Sequence, residues 1–162
     1  MPDEKLRLKI DMNTLAVLPV LAASVVGQIA TSPNLAPWYA GLVKPSFNPP
    51  NWIFAPVWSA LYLLMAFAVW RVARLPSTPA RSVALTLFFL QLALNAAWSW
   101  MFFAAHSPLL GLVDIIPQFF VIVATIIAFA RLDRMAAWAL LPLTAWVGYA
   151  SVLNAALWWL NP

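Results

Sequence analysis

The 162-residue sequence contains no cysteine, one histidine and four glycines, and only 9% of its residues are charged. Without cysteine the chain cannot form a disulfide, a thiolate nucleophile or a covalent haem attachment. One histidine and no cysteine also make a metal site improbable, and none is predicted. An average soluble domain has roughly 25% charged residues, whereas 64% of this chain is hydrophobic. The chain is therefore expected to lie in a lipid bilayer.

Long uncharged windows divide the chain into five expected membrane spans. A bilayer core of about 30 Å needs roughly 20 helical residues. Windows of that kind predict spans at about 14–32, 53–71, 82–105, 109–130 and 136–160, with His106-Ser107-Pro108 separating the third from the fourth. The whole chain, 1–162, is predicted to be one all-α domain, a single bundle of five transmembrane helices. In an alternative interpretation the first span is a cleaved signal peptide and four spans remain.

The distribution of basic residues predicts the orientation of this bundle. With five spans, Lys44 alone lies on one side, and the other side carries Lys5, Arg7, Lys9, Arg71, Arg74, Arg81, Arg131 and Arg134. The positive-inside rule then places the N-terminus in the cytoplasm of a bacterial cell. These residues form short groups beside the spans rather than one patch, so a nucleic-acid partner is rejected despite the net charge of +4.

The connection between the first two spans, residues 33–51, is rich in proline and aromatic residues. Its prolines are at positions 33, 37, 45, 49 and 50, and Trp38, Tyr39 and Phe47 lie among them. Proline lacks an N–H and fixes φ, so the segment cannot be a regular helix, yet it is restrained. It is interpreted either as an aromatic belt at the membrane interface or as a lid over the bundle.

Three spans each combine tryptophan with a polar group on one helical face. The third carries Gln91, Asn95 and Trp98 at spacings of four and three. The corresponding stripes of the second and fifth spans are Phe54, Trp58, Tyr62, Met65 and Trp138, Pro142, Trp146, Tyr149. Amides in hydrocarbon either hydrogen-bond between helices or face protein, water or ligand. The stripes predict an aromatic chamber for a flat, apolar ligand with a few polar edges.

Other residues within the spans carry further expectations. Asp114 lies either near the headgroups in the first turns of its helix or buried, as an acid coupled to transport or assembly. Ala93 and Ala97 form a small-xxx-small pair suited to close contact between helices, including helices of two protomers. Pro19 and Pro117 are expected within spans, where each frees a backbone carbonyl.

A series of short motifs occurs in the order found in a known family. They are Trp38-Tyr39, Leu42-Val43-Lys44-Pro45, Pro49-Pro50, Trp58, Leu61-Tyr62, then Gln91, Asn95 and Trp98, and finally Trp146 with Leu153-Asn154. In combination, from about Thr31 to Asn161, they resemble the TspO/MBR family. That family comprises the tryptophan-rich sensory proteins of bacteria and the related mitochondrial translocator protein, the peripheral-type benzodiazepine receptor.

The resemblance implies a five-helix bundle, commonly a homodimer, with a ligand chamber capped by the first loop. It implies porphyrin, haem, isoquinoline- or benzodiazepine-type compounds and sterols as ligands, and no obligatory cofactor. The residues expected to line the chamber are Trp38, Tyr39, Trp58, Tyr62, Asn95, Trp98, Trp146 and Ala150. Leu143 departs from the family pattern, and the C-terminus lacks the tyrosine and basic residue of a sterol-recognition motif. Both departures weaken the sterol interpretation.

Three functions remain open at this stage. The leading hypothesis is a membrane receptor or sensor that binds tetrapyrroles and regulates their metabolism or a stress response. The second is light-dependent porphyrin degradation with Trp and Tyr as electron donors, although no acid–base pair supports ordinary catalysis. The third is porphyrin or sterol transport, although no inverted repeat is recognisable. The expected location is the bacterial cell membrane, with family members also in the mitochondrial outer membrane.

Overall fold

A computed structural model of the protein describes residues 15–162. The regular structure of these residues is helical, as predicted. The long helices are α1 (Leu18–Thr31), α2 (Asn51–Ala73), α3 (Pro79–Ser99), α4 (Pro108–Ala130) and α5 (Arg134–Leu160). α3 continues into one π-helical turn, Trp100–Ala104, and two short 3-10 turns, Ser32–Asn34 and Tyr39–Gly41, lie between α1 and α2.

Local sequence signals set where the helices begin. The Thr78 hydroxyl accepts a hydrogen bond from the Arg81 N–H at the start of α3, and the Ser107 hydroxyl accepts one from the Leu110 N–H at the start of α4. In both helices a proline follows the capping residue, where its missing N–H leaves no bond unmade. When the π-helical turn is counted with α3, the bounds predicted for the last four spans agree with the observed helices to within three residues.

Four helices, α2 to α5, are long and apolar enough to cross a membrane when the π-helical turn is counted with α3. The 14 residues of α1 extend only about 21 Å at 1.5 Å per residue, short of a bilayer core of about 30 Å. Pro19 lies within the predicted first span, in the first turn of α1, where a missing N–H leaves no helical bond unmade. Thr14, where the first span was predicted to begin, lies outside the described residues.

The helices pack in the spatial order α1, α3, α4, α5, α2, with α5 against both α4 and α2. A main core of buried apolar side chains fills the half of the bundle where α2 and α4 end. It includes Met65, Val69, Phe88, Phe129 and Leu140. A second apolar cluster lies at the opposite end, under the first loop. We call these halves the basic end and the loop end.

The basic end collects the arginines at the termini of α2, α3, α4 and α5, in agreement with the predicted sidedness. Here Arg71 Nε donates to Asp133 Oδ2 over 2.8 Å, joining the end of α2 to the start of α5. Partial burial opposes ionisation of Asp133, but the Ala136 N–H and the Arg71 guanidinium hold the pKa of its carboxyl below the ordinary value. Lys5, Arg7 and Lys9 lie outside the described residues.

Candidate ligand-binding site

The first loop folds onto the loop end of the bundle around Tyr39, which is 3% exposed. The Tyr39 hydroxyl donates to Asn48 Oδ1 over 2.9 Å, and the Lys44 ammonium lies 4.8 Å from the centre of its ring. Burial raises the pKa of Tyr39 above the ordinary value for a phenol, although the Asn48 contact opposes this. The loop therefore has a buried aromatic anchor.

Side chains of α5 and its C-terminal flank fasten the same loop by hydrogen bonds. The Asn161 amide pairs with the backbone of Val43 in both directions, since Val43 N–H donates to Oδ1 and Nδ2 donates to the Val43 carbonyl, each over 2.9 Å. The Tyr149 hydroxyl donates to the Phe47 carbonyl. These bonds link residues more than 100 positions apart in sequence.

His106 fastens the beginning of the loop to the α3–α4 connection. Its ring stacks on Trp38 with centroids 4.9 Å apart and planes 15° apart. Its Nε2 lies 2.7 Å from Asn34 Oδ1, within hydrogen-bond distance. The His106 backbone has a φ of 52°, in the left-handed region. His106 is exposed and lies on the short connection between α3 and α4 where the sequence placed it.

Trp98 connects the loop cluster to the inside of the bundle. Its ring stacks on Phe102 at 4.9 Å, and Phe102 in turn meets the edge of Trp38 at 5.3 Å. The Trp98 indole N–H donates to Asn154 Oδ1 over 3.0 Å. Asn154 Nδ2 donates to the Pro108 carbonyl over 2.6 Å. One amide thus ties α3, α4 and α5 together beneath the loop.

A second group of predicted site residues meets between α2 and α3. The Tyr62 hydroxyl donates to Asn95 Oδ1 over 2.7 Å, and the Trp58 ring lies 5.7 Å from that of Tyr62. Asn95 is 4% exposed. Among residues 15–162 no hydrogen bond uses its amide nitrogen. The Asn95 NH2 group, with its two N–H donors, is therefore free beside the Tyr62 ring and its neighbour Trp58.

Trp146 and Ala150 bring α5 to the same region. The Trp146 ring meets the edge of Phe54 at 5.9 Å and lies 5.8 Å from Tyr149, and Ala150 packs against the main core. Beside Trp146, a groove of about 620 Å³ runs between α2 and α5. Its lining residues are Pro49, Ile53, Val57, Ala60, Leu61, Leu64, Pro142, Ala145, Trp146 and Tyr149. Trp146 is thus shared by the groove and the predicted chamber.

The eight predicted site residues are distributed over two adjoining clusters. Trp38 and Tyr39 belong to the loop cluster, while Trp58, Tyr62, Trp146 and Ala150 pack against the main core, and Trp98 touches both. Asn95 adjoins the main core through its hydrogen bond with Tyr62. Sequence reasoning missed Phe102 and Phe103, although their spacing of four and five from Trp98 places them one helical turn further on. It also missed the role of Asn154, because only the fold shows what an amide at that position touches.

The structure contradicts the predicted placement of Trp138 and decides between the two interpretations of Asp114. Trp138, placed on the aromatic stripe of the fifth span, is 64% exposed and points outward, because the inward face of that end of α5 carries alanine and leucine. Asp114 is only 4% exposed, so the structure favours the buried position over one near the headgroups. The neighbouring Gln118, one turn further along α4, is also buried.

The fold and the site define a helical membrane protein with an aromatic interior beneath a fastened loop. Residues 15–160 match the TspO/MBR family. The chain is 44% identical over 144 residues to the Tryptophan-rich protein TspO of Chlorobaculum tepidum, covering 88% of this chain and 90% of the relative. It is 40% identical over 124 residues to the Translocator protein of Sus scrofa, covering 75% and 73%. It is 36% identical over 117 residues to the Tryptophan-rich sensory protein of Cereibacter sphaeroides, covering 72% of each.

The chain belongs to the TspO/MBR family and is an integral membrane protein, which confirms the resemblance drawn from its motifs.

Proposed function

We propose that the protein is a membrane receptor or sensor that binds tetrapyrroles, and related flat hydrophobic compounds, beneath the first loop. The observation that carries the proposal is the Asn95 amide, whose oxygen is held by Tyr62 and whose nitrogen is free among the described residues. A free donor on a side chain that is 4% exposed, next to Tyr62 and its neighbour Trp58, suits a planar ligand with a few polar edges. Regulation of tetrapyrrole metabolism or of a stress response follows as the role of such a receptor.

The residues available in the chamber determine how a tetrapyrrole is held. Trp58, Trp98 and Trp146 offer flat faces for stacking, which is worth about 0.5–1.5 kcal/mol per aromatic pair beyond area burial. The eight chamber residues include no histidine or cysteine, so the proposal is that the macrocycle is held by stacking on its faces and hydrogen bonding at its edges. Lys44, on the first loop, offers a positive charge to the acidic groups of a porphyrin.

The proposal includes five spanning helices and a homodimer. A fifth span requires α1 to extend toward the N-terminus, and cysteine labelling of the otherwise cysteine-free chain tests the topology. An impermeant reagent applied outside intact bacterial cells should label Ser46→Cys but neither Ser77→Cys nor Asp3→Cys. Labelling of Asp3→Cys would contradict the fifth span. For the dimer, Ala93 is exposed on the outer face of α3, where small residues permit close helix contact.

Titration of the purified protein in nanodiscs with protoporphyrin IX tests the binding site. Trp58→Ala and Trp146→Ala should each weaken binding by about 1–3 kcal/mol, roughly 5- to 150-fold in Kd, because each removes a large buried aromatic surface. The matched control is Trp70→Ala. Trp70 lies at the basic end, where the Arg74 guanidinium is 4.3 Å from its ring centre, and its loss should leave Kd within about twofold.

Equal affinity in the parent and all three folded variants would refute the chamber. The same titration in the dark and under illumination separates a receptor from the light-dependent alternative. A receptor returns the porphyrin unchanged, whereas degradation yields new absorbing products that should diminish in Trp58→Ala or Trp146→Ala.

A further inference from the structure

The seam between α2 and α5 differs markedly between its two ends. At the basic end the Arg71–Asp133 ion pair closes it, and Leu61, Met65 and Val69 are buried above that pair. At the loop end the groove of about 620 Å³ opens between the helices. This volume lies within the roughly 300–1,000 Å³ of typical small-molecule sites.

The groove opens toward the membrane. Ala60 on α2 and Ala145 on α5 line it and are themselves exposed, so its mouth is on the outer surface of the bundle. Both helices are long and apolar enough to span a bilayer. The surface around the mouth is therefore the lipid-facing surface, and molecules dissolved in the hydrocarbon reach the groove without crossing water.

Trp146 forms part of the inner wall of this groove. Its ring meets Phe54 edge to face at 5.9 Å, and the pair bridges α5 and α2. Trp58 follows Phe54 by one turn of α2, and Tyr62 and Asn95 follow beyond it. A movement of Trp146 away from Phe54 would therefore connect the groove to the predicted chamber.

The contacts that resist opening differ between the first loop, which covers the chamber, and the α2–α5 seam at its side. The first loop is fastened by the paired Asn161–Val43 bonds and by Tyr149. Across the seam, within the part of the chain that the structure describes, no hydrogen bond joins α2 to α5 at the loop end. In a bilayer, apolar helix faces exchange protein contacts for lipid contacts at little cost. The α2–α5 seam therefore opens more easily than the hydrogen-bonded first loop.

We infer that the α2–α5 groove is a side portal through which flat hydrophobic ligands pass between the bilayer and the chamber, with Trp146 as the gate. This inference rests on the proposed function and adds the route by which the ligand arrives. A porphyrin dissolved in the bilayer keeps its acidic groups at the headgroups while its ring lies among the acyl chains. That orientation matches a groove that begins at Pro49 and Tyr149 and descends toward Leu64.

A portal makes a kinetic prediction that distinguishes it from a binding site. An obstruction at the mouth raises the same barrier for entry and for exit, so association and dissociation slow by one factor and Kd stays constant. Loss of a binding contact changes Kd, and mostly through dissociation. The test therefore measures both rate constants for each variant.

The variants are Ala145→Phe and Ala60→Phe, which add bulk at the exposed mouth without filling the buried core. Their controls are Val152→Phe on α5 and Leu63→Phe on α2, which place the same ring on lipid-exposed positions outside the groove. Association and dissociation of protoporphyrin IX in nanodiscs would be followed by stopped-flow tryptophan quenching. The mouth variants should slow both rates at least about fivefold with Kd within about twofold, and the controls should match the parent.

Each other outcome overturns the inference at an identifiable step. Unchanged rates in the folded mouth variants, with normal binding by the parent, would refute the portal and leave the proposed function standing. A changed Kd that arises mainly from dissociation would make the groove itself the binding site. Absence of saturable binding by the parent would refute the proposed function and the portal together.

Discussion

Gly111 of α4 lies at the most tightly packed glycine position of the described bundle. A Cβ added there would lie 2.7 Å from Asn154 Oδ1 and 2.9 Å from Phe102 Cδ2, closer than van der Waals contact allows. Neither neighbour yields easily. Asn154 is held by Trp98 and Pro108, and Phe102, 1% exposed, is stacked on Trp98. Gly111→Ala should therefore displace the amide that joins α3, α4 and α5.

Three effects set the size of the stability change, two that destabilise the variant and one that stabilises it. Overpacking a core typically costs about 1–3 kcal/mol. Weakening two interhelical hydrogen bonds of Asn154 adds about 1 kcal/mol, at roughly 0.6 kcal/mol each in a membrane protein. Alanine is favoured over glycine in a helix by about 1 kcal/mol, which offsets the hydrogen-bond loss. Gly111→Ala should thus destabilise the fold by about 1–3 kcal/mol.

Reversible unfolding in mixed detergent micelles measures this difference. The control is Gly148→Ala on α5, whose Cβ would lie 3.3 Å from the ring edge of Phe119. Phe119 is half-buried and has to shift by only a few tenths of an ångström, so this variant should lose less stability than Gly111→Ala, with helix propensity offsetting the contact by up to about 1 kcal/mol. In an Asn154→Ala background the penalty of Gly111→Ala should shrink, because one of the two clashes is gone. Equal or greater stability of Gly111→Ala than of the parent would refute this account of the junction.

Three further predictions concern single polar side chains. Tyr62→Phe should destabilise the fold by about 0.6–1.7 kcal/mol in the same unfolding assay, because it leaves Asn95 Oδ1 unbonded in the bundle; unchanged stability would contradict that bond. The lowered pKa of Asp133 means that its contribution is present above about pH 4 and is lost as the pH falls further. Asp133→Asn should remove that acid-dependent loss, and an unchanged pH profile would exclude Asp133 as its source. Asn161→Ala should accelerate hydrogen exchange of the Val43 amide, whereas unaltered exchange would show that the loop is fastened elsewhere.

The positions of α2 to α5 could be predicted from the sequence because hydrocarbon imposes a local rule. Each spanning segment must satisfy its own backbone hydrogen bonds and exclude charge over about 20 residues. Charge-free windows therefore located α2 to α5 closely, and Ser107-Pro108 located the break between α3 and α4. Within the described residues the first predicted span corresponds to the 14 residues of α1.

The sequence also determined the family and the residue types of the candidate site. The order of tryptophans, prolines and amides is local information, and the match over residues 15–160 confirms what it indicated. The spacing of Gln91, Asn95 and Trp98 placed them on one face of α3 because helical periodicity requires it.

Only the tertiary structure decided which partners these faces meet. Periodicity fixes a face relative to its own helix, but the rotation of that helix against its neighbours depends on packing along its whole length. For that reason Trp138 points outward while Asp114 is buried, and Asn154 joins three helices. The open α2–α5 seam likewise arises from contacts between segments about 80 residues apart, which no local pattern in either helix encodes.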